Sequence, residues 1–254
     1  MVLKVIFMAK ETFSSKCALE YLCSTNSRVA VVAAVIREGD ASLKKLCEDN
    51  SIKILTEKDL KRYRGEEGLE VDYILSFYWK KLSKDIIDIP RKGSINFHPG
   101  PLPEARGSGY HMAIIENWGY WGVTAHYMDE EFDTGAIIEC RRFTIGDGVV
   151  NKDLVETAHK QLFLLFKDIM DKLFDGEELS GEIQREGRYF SLKELERNKL
   201  ICEDESIESI EKKIRAFWNP PYSGAQIEIK GKRYTVINEH ILSWIADRIK
   251  NSEV

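Results

Sequence analysis

The chain has 254 residues, of which 43% are hydrophobic and 31% are charged, and its formal net charge is −5. This length and apolar content allow a full hydrophobic core, in one large domain or two smaller ones. The negative net charge argues against nucleic acid as a partner, and no apolar run reaches the length of a membrane span.

The cysteines, at positions 17, 23, 47, 140 and 202, show neither metal-ligand spacing nor a disulfide framework. The five histidines show no zinc-binding arrangement. The apolar run at 2–8 is too short for a secretion signal. We therefore predict a cytoplasmic protein without a metal ion.

The first part of the chain alternates strand and helix patterns. Its periodicity predicts strands at 2–8, 29–36, 52–54 and 71–76, and helices at 14–26, 40–49 and 57–63. The run 29–36 is apolar at every position, which is typical of a strand covered on both faces of a parallel sheet. We predict an α/β fold with a doubly wound, mostly parallel, Rossmann-like sheet. No GxGxxG motif or P-loop accompanies it.

The segment 94–107 combines two polar side chains with a rigid turn. Asn96 and His98 share one face of a predicted strand, because alternate strand residues point the same way. Prolines at 99, 101 and 103 then fix φ and remove backbone donors. A neutral hydrogen-bond donor is thus expected beside a titratable group at the end of the strand.

A second polar feature follows a predicted strand at 122–128. An acidic turn there ends in Asp133-Thr134-Gly135, and a further strand is predicted at 136–144. At this junction Asp133 could orient an imidazole, although an Asx turn is the alternative. Asn96 and His98 could likewise only cap a turn. His126, within the strand, is interpreted as a structural histidine.

The remaining chain predicts the end of this domain and a smaller extension. A helix is expected from Asn151 to about residue 175, an extended crossing segment at 177–205, a helix at 206–217 and a last helix at 239–250. Predicted strands at 226–229 and 233–237 flank the turn 230–232. We predict an amino-terminal domain at 1–180 and an extension at 181–254. An isolated hairpin is marginal in water, so this one should pack on its own domain or on a second copy.

Three runs resemble the folate-dependent formyltransferases: Asn-Phe-His-Pro at 96–99, Leu-Pro-Glu-Ala-Arg-Gly at 102–107, and Asp-Thr-Gly at 133–135. The tail around Pro-Pro-Tyr-Ser-Gly-Ala is similar to that of nucleotide-sugar N-formyltransferases, some of which dimerise through this region. The resemblance implies N10-formyltetrahydrofolate as the donor, an amine as the acceptor, and a catalytic trio of Asn96, His98 and Asp133 in the domain 1–180.

The implied reaction is attack of a neutral amine on a formyl carbon. Donors aimed at the resulting oxyanion contribute about 3–4 kcal/mol each. Asn96 and a protonated His98 would act as these donors. Asp133 would favour the protonated His98 ring and relay the proton that the amine loses.

Further ligand contacts are expected at the carboxyl ends of the strands. Candidates for folate are Phe77, Tyr78, Trp79, Leu82, Asp129 and Glu130. Candidates for the nucleotide sugar are Lys10, Lys80, Arg106, Trp218 and Tyr222. The aromatic residues could instead belong to the core or wedge the hairpin, and the lysines could be simply solvated.

The predicted function is formyl transfer to the amino group of a nucleotide-linked amino-dideoxy sugar for bacterial O-antigen or surface polysaccharide synthesis. We favour dTDP-4-amino-4,6-dideoxyglucose, followed by the 3-amino isomer and GDP-perosamine, and expect a homodimer with no nucleic-acid or membrane partner. The alternatives are a methionyl-tRNA formyltransferase-like enzyme and a non-catalytic folate-binding protein. A tRNA substrate is disfavoured because the residues after 205 contain no basic block.

Overall fold

The computed structural model describes residues 2–63, 70–78 and 80–252. Its strands are β1 (Leu3–Ala9), β2 (Val29–Ile36), β3 (Tyr73–Phe77), β4 (Gly93–His98), β5 (Arg106–Gly107), β6 (Tyr120–Tyr127), β7 (Ile137–Thr144), β8 (Tyr189–Phe190), β9 (Gln226–Ile229) and β10 (Lys232–Thr235). Its helices are α1 (Phe13–Ser24), α2 (Ala41–Asp49), α3 (Glu57–Tyr63), α4 (Lys84–Ile87), α5 (Tyr110–Ile115), α6 (Asn151–Phe174), α7 (Leu192–Asn198), α8 (Ile207–Phe217) and α9 (Glu239–Ser252).

A six-stranded sheet has the order β2-β1-β3-β4-β6-β7. β1 runs parallel to β2 and β3, β3 runs parallel to β4, and β4 runs antiparallel to β6. The predicted α/β fold with a mostly parallel, doubly wound sheet is confirmed. Two smaller sheets pair β9 with β10 and β5 with β8.

The chain divides into two compact units. The first comprises Met1–Arg106, Gly122–Arg141 and Ala158–Gly187, and the second comprises Gly107–Trp121, Arg142–Thr157 and Arg188–Val254. The predicted boundary between residues 180 and 181 stays a prediction. None of the helices in the described ranges is long and apolar enough to cross a bilayer.

In the first unit, the central strands bury both of their faces. On one face, Phe77 stacks on Phe97 at 5.0 Å, and the Phe166 ring lies 5.0 Å from Phe97. On the other face, Ile6 and Ile74 belong to a buried cluster with residues of α3 and α4. This two-sided burial explains why strands such as β2 and β3 are apolar at nearly every position.

In the second unit, buried aromatic contacts and ion pairs join the helices. The His111 ring of α5 lies 5.2 Å from the Phe217 ring of α8. Arg248 of α9 forms ion pairs with Asp153 and Glu156 at the start of α6. These contacts connect the last helix to a segment about ninety residues earlier in the chain.

The structure differs from the sequence prediction most clearly within 177–205. That segment contains β8 and α7, neither of which the pattern predicted. The hydroxyl of Ser191 accepts a hydrogen bond from the Glu194 amide at 3.1 Å and caps α7. This Ser-x-x-Glu spacing is a helix-start signal that was available in the sequence.

Other differences are local. The predicted strand 52–54 is a single parallel bridge between Ala34 and Ile54, and α4 was not predicted. The turn between β9 and β10 contains two residues, Lys230 and Gly231, both with positive φ, and not the three residues expected. Positive φ at both positions matches the right-handed twist of a tight hairpin.

Candidate active site

The site is built on the adjacent strands β4 and β6. Their antiparallel register pairs Asn96 with His126 and His98 with Thr124. Alternation along β4 directs Asn96 and His98 to one face, while Phe97 between them joins the aromatic core. Asn96, His98 and His126 are 7%, 6% and 2% exposed. Three buried polar side chains therefore share one face near the carboxyl end of β4.

The proline-rich turn after β4 fixes the His98 ring. His98 Nε2 lies 2.8 Å from the Ala105 carbonyl oxygen and must donate to it, because a carbonyl only accepts. The Thr124 hydroxyl donates to the Gly100 carbonyl at 2.8 Å and accepts from the Leu102 amide at 3.1 Å. The strand β6 thus holds the turn, and the turn holds the imidazole.

Asp133 faces both imidazoles from the loop between β6 and β7. Its Oδ2 lies 3.5 Å from His98 Nδ1, and its Oδ1 lies 3.6 Å from His126 Nε2. The backbone of Asp133 has φ +56°. A Cβ on Gly135 would lie 1.9 Å from the Tyr127 carbonyl oxygen, so this close approach of the loop to β6 requires glycine.

The hydrogen bonds assign donors and acceptors around Asn96. His126 Nδ1 donates to the Tyr127 carbonyl at 2.7 Å, so Nε2 of the neutral ring accepts from Asn96 Nδ2 at 3.2 Å. Asn96 Nδ2 carries a second hydrogen, and Asn96 Oδ1 has no hydrogen-bond partner within the described residues. The buried amide can therefore offer a ligand both a donor and an acceptor.

His98 and Asp133 form a close polar pair. Because Nε2 of His98 donates to Ala105, a neutral ring would turn the lone pair of Nδ1 towards the Asp133 carboxylate. An imidazole beside a carboxylate is an arrangement that general acid–base catalysis uses.

A small cavity borders the cluster, and a much larger cavity shares two lining residues with the small one. A cavity of about 30 Å³ is bordered by Asn96, His126, Asp133 and their neighbours Tyr78, Lys80, Lys81, Leu82, Met128, Asp129, Glu131 and Phe132. A second cavity of about 880 Å³ shares Tyr78 and Lys80 with it and extends to Arg37, Lys44, Ile54 and Lys58. The larger cavity has room for the body of a ligand, whereas the small one admits a single reacting group.

The structure places the predicted folate contacts in different environments. Tyr78, Leu82 and Asp129 line the small cavity. Glu130 borders a separate depression beside Lys84 and Asp88. Phe77 lies in the aromatic core, the alternative left open above, and Trp79 lies outside the described residues.

The predicted nucleotide-sugar contacts are also dispersed. Lys80 borders both cavities, and Lys10 is exposed at the end of β1. The Arg106 guanidinium donates to Gln184 Oε1 and to the Arg185 carbonyl, each at 3.0 Å. In the second unit, Trp218 packs edge to face against Trp244, and Tyr222 is 70% exposed. Ligand contacts of all these residues stay predictions.

Sequence reasoning did not place His126 in this cluster. It was interpreted as structural, and both of its nitrogens do bond within the protein. It also orients Asn96 and faces Asp133. The register of β4 against β6 reveals this position. The alternation of side chains along a single strand carries no information about that register.

No group of three or more His, Cys, Asp or Glu side chains within the described ranges is arranged to hold a metal ion. The predicted absence of a metal stays a prediction. All five cysteines are free thiols.

Comparison with known proteins gives consistent matches. The sequence model of the family described as formyl transferase matches residues 3–162. A GDP-perosamine N-formyltransferase from Brucella melitensis is 30% identical over 176 residues, which cover 68% of this chain and 67% of that protein. A methionyl-tRNA formyltransferase from Staphylococcus epidermidis is 30% identical over 183 residues, which cover 66% of this chain and 57% of that protein.

A solved structure extends the likeness through the carboxyl-terminal part of the chain. It is an N-formyltransferase from Helicobacter canadensis in complex with folinic acid and dTDP-3-aminofucose. Its TM-score is 0.70 at 22% identity, and the alignment covers 91% of this chain and 85% of that one. At this identity the likeness shows a shared fold.

Proposed function

Because the chain belongs to the formyl transferase family, and is an N-formyltransferase, we propose that it formylates the amino group of a nucleotide-linked amino sugar with N10-formyltetrahydrofolate as donor. The observation that carries the proposal is the largely buried cluster of Asn96, His98 and Asp133, of which Asn96 and Asp133 line a small cavity that shares two lining residues with a much larger one. The family match confirms the resemblance found in the sequence.

The proposed chemistry assigns one role to each residue of the trio. The neutral amine attacks the formyl carbon, and the carbonyl electron pair moves to oxygen. Asn96 Nδ2 donates its second hydrogen to this oxyanion, and a protonated His98 adds a positive charge beside it. Asp133 takes the proton that the amine nitrogen loses. The bond from carbon to N10 then breaks, and N10 receives a proton, so one proton moves overall from amine to donor nitrogen.

The donor assignment draws support from the cavities and the structural neighbour. The Helicobacter canadensis protein binds folinic acid, a formylated tetrahydrofolate. In the present chain, Tyr78 and Lys80 border both the small cavity at the trio and the large cavity beside it. A long donor can lie in the large cavity and present its formyl group to Asn96.

The acceptor assignment draws support from two similar proteins. One acts on GDP-perosamine, and the other binds dTDP-3-aminofucose. Both compounds are amino sugars on a nucleoside diphosphate. We keep dTDP-4-amino-4,6-dideoxyglucose as the favoured acceptor and surface-polysaccharide synthesis as its use, with the 3-amino isomer and GDP-perosamine next.

A tRNA acceptor is the second candidate, because a methionyl-tRNA formyltransferase is equally similar in sequence. The matched segment covers only 57% of that protein, and the present chain has a net charge of −5. Phosphate contacts would make tRNA binding strongly salt-dependent. Binding of initiator tRNA that weakens steeply with added salt would favour this candidate.

The test is a panel of aminosugar nucleotides incubated with the enzyme and N10-formyltetrahydrofolate. We expect one or a few of them to gain the mass of a formyl group, with release of one equivalent of tetrahydrofolate. Asp133→Asn serves as the control whose turnover should be strongly reduced but still measurable. No formylated sugar in the whole panel, together with formylation of methionyl-tRNA, would contradict the proposal. Folate binding without any tetrahydrofolate release would support the non-catalytic alternative.

We also propose a homodimer that forms through the hairpin β9–β10. Ile229, Tyr234 and Ile237 in and after this hairpin are 51%, 49% and 42% exposed, and burial of such side chains favours association. Light scattering should give twice the chain mass, and Tyr234→Lys should halve it. A monomeric wild-type protein would refute the dimer.

A further inference from the structure

Gln184 donates hydrogen bonds to two backbone carbonyl groups of the Asp133 loop. Its Nε2 lies 3.0 Å from the Asp133 carbonyl oxygen and 2.7 Å from the Gly135 carbonyl oxygen, and it donates one hydrogen to each. All three residues belong to the first unit. One amide group thus bridges the backbone turn that carries the Asp133 carboxylate, the candidate proton acceptor.

Gln184 is itself held at both ends. Two residues earlier, Glu182 exchanges backbone hydrogen bonds with Ile137 of β7 in both directions, each at 2.8 Å. The side-chain oxygen of Gln184 accepts from Arg106 at 3.0 Å and 3.3 Å. The Gln184 amide therefore has a fixed orientation, with its nitrogen turned to the loop and its oxygen to Arg106.

The loop needs such a support because Asp133 is strained. Its φ of +56° lies in the left-handed region, which residues other than glycine adopt at an energetic cost. The preceding residues 129–132 are exposed to solvent. A carboxylate that must stay 3.5 Å from one imidazole and 3.6 Å from another depends on this backbone conformation.

We propose that Gln184 is a positioning residue for the formyl transfer. Its two hydrogen bonds keep the backbone at Asp133 and Gly135 in place and so keep the carboxylate between His98 and His126. Arg106 acts one step further away by orienting the Gln184 amide. This inference rests on the proposed function for its kinetic consequences, although its structural consequence can be measured separately.

The decisive variant is Gln184→Glu. A glutamate keeps the shape and still accepts from Arg106, but an ionised carboxylate cannot donate to the two carbonyl groups. We expect kcat to fall about 10-fold to 100-fold, because small misplacements of a reacting group have effects of this size, with KM for both substrates changed less than about threefold. The kcat of Gln184→Met, which introduces no charge, should fall by a similar factor.

The control is Gln161→Glu, the same chemical change on α6 in the same unit. It should retain full activity. A double-mutant cycle then tests whether the loss of activity arises through Asp133. If Gln184 acts through Asp133, Gln184→Glu should cost less than about twofold when added to Asp133→Asn.

Two kinetic results would overturn the inference. One is wild-type kcat in both Gln184 variants. The other is a full additional loss in the Asp133→Asn background, which would show that Gln184 acts elsewhere. A crystal structure of Gln184→Glu gives a readout without any substrate: we expect Asp133 to leave positive φ or to move away from His98. An unchanged loop would refute the positioning role even if the acceptor sugar were wrongly assigned.

Discussion

Two glycines set the positions of side chains in the proposed catalytic trio. Gly135 lets the Asp133 loop pass against β6, and Gly100 lets the proline turn pass beside His98. A Cβ on Gly100 would lie 2.6 Å from His98 Nε2 and 3.1 Å from the Ala105 carbonyl oxygen. It would therefore intrude on the hydrogen bond that orients the ring. Neither requirement is visible in the sequence, because both depend on contacts between separate segments.

Gly100→Ala should consequently impair turnover more than stability. We expect kcat to fall about 10-fold or more, because the His98 ring must shift to make room for the methyl group. Steady-state kinetics and a thermal melt check this. The matched control is Gly146→Ala, where an added Cβ meets nothing within 4 Å. Equal kinetics for the two alanine variants would show that the turn does not position His98.

Among the elements, periodicity predicted most strands and helices but not their pairing. The apolar runs of β1, β2 and β3 predicted a parallel sheet correctly, because strands covered on both faces are apolar throughout. The location of His126 beside Asn96 follows from the antiparallel register of β4 and β6. That register joins residues thirty positions apart, so alternation within either strand could not reveal it.

The contact between α5 and α8 predicts a pH effect on stability. His111 is 1% exposed, its Nε2 has no hydrogen-bond partner within the described residues, and its ring packs on Phe217. Burial is the main cause that lowers the pKa of His111 to about 4, with Arg188 and Lys199 also lowering it and Glu194 and Glu116 opposing. The unfolded chain has the ordinary value of about 6.5.

The direction of this pH effect on stability follows from proton binding. Between about pH 6.5 and pH 4 the unfolded chain carries a proton on His111 and the folded chain does not, so acid favours unfolding. Through His111, a fall in pH from 7 to 5 should therefore lower the free energy of unfolding by about 2 kcal/mol. Urea titrations at both pH values of wild type and His111→Phe measure it. A phenylalanine variant that loses as much stability as wild type would contradict the assignment.

For the whole molecule, the sequence motifs predicted the trio, and the fold explains how its distant segments come close together. Asn96 and His98 end a central strand, while Asp133 returns to them from the loop after β6. The supporting contacts of Gln184 were not predicted, because its segment lacks a clear pattern and was interpreted as an extended crossing. The larger cavity likewise depends on segments from β2, α2 and α3 that only the folded chain brings together.

The most direct test of the catalytic assignment is the turnover number of Asn96→Ala with a formyl donor and the acceptor identified from the panel. Removal of one oxyanion donor should lower kcat by about 10²–10³ while the variant stays folded and the KM of the donor changes little. Asn50→Ala, at the exposed end of α2, should turn over like wild type. A well-folded Asn96→Ala variant with kcat within about threefold of wild type would contradict the proposed role of the buried amide.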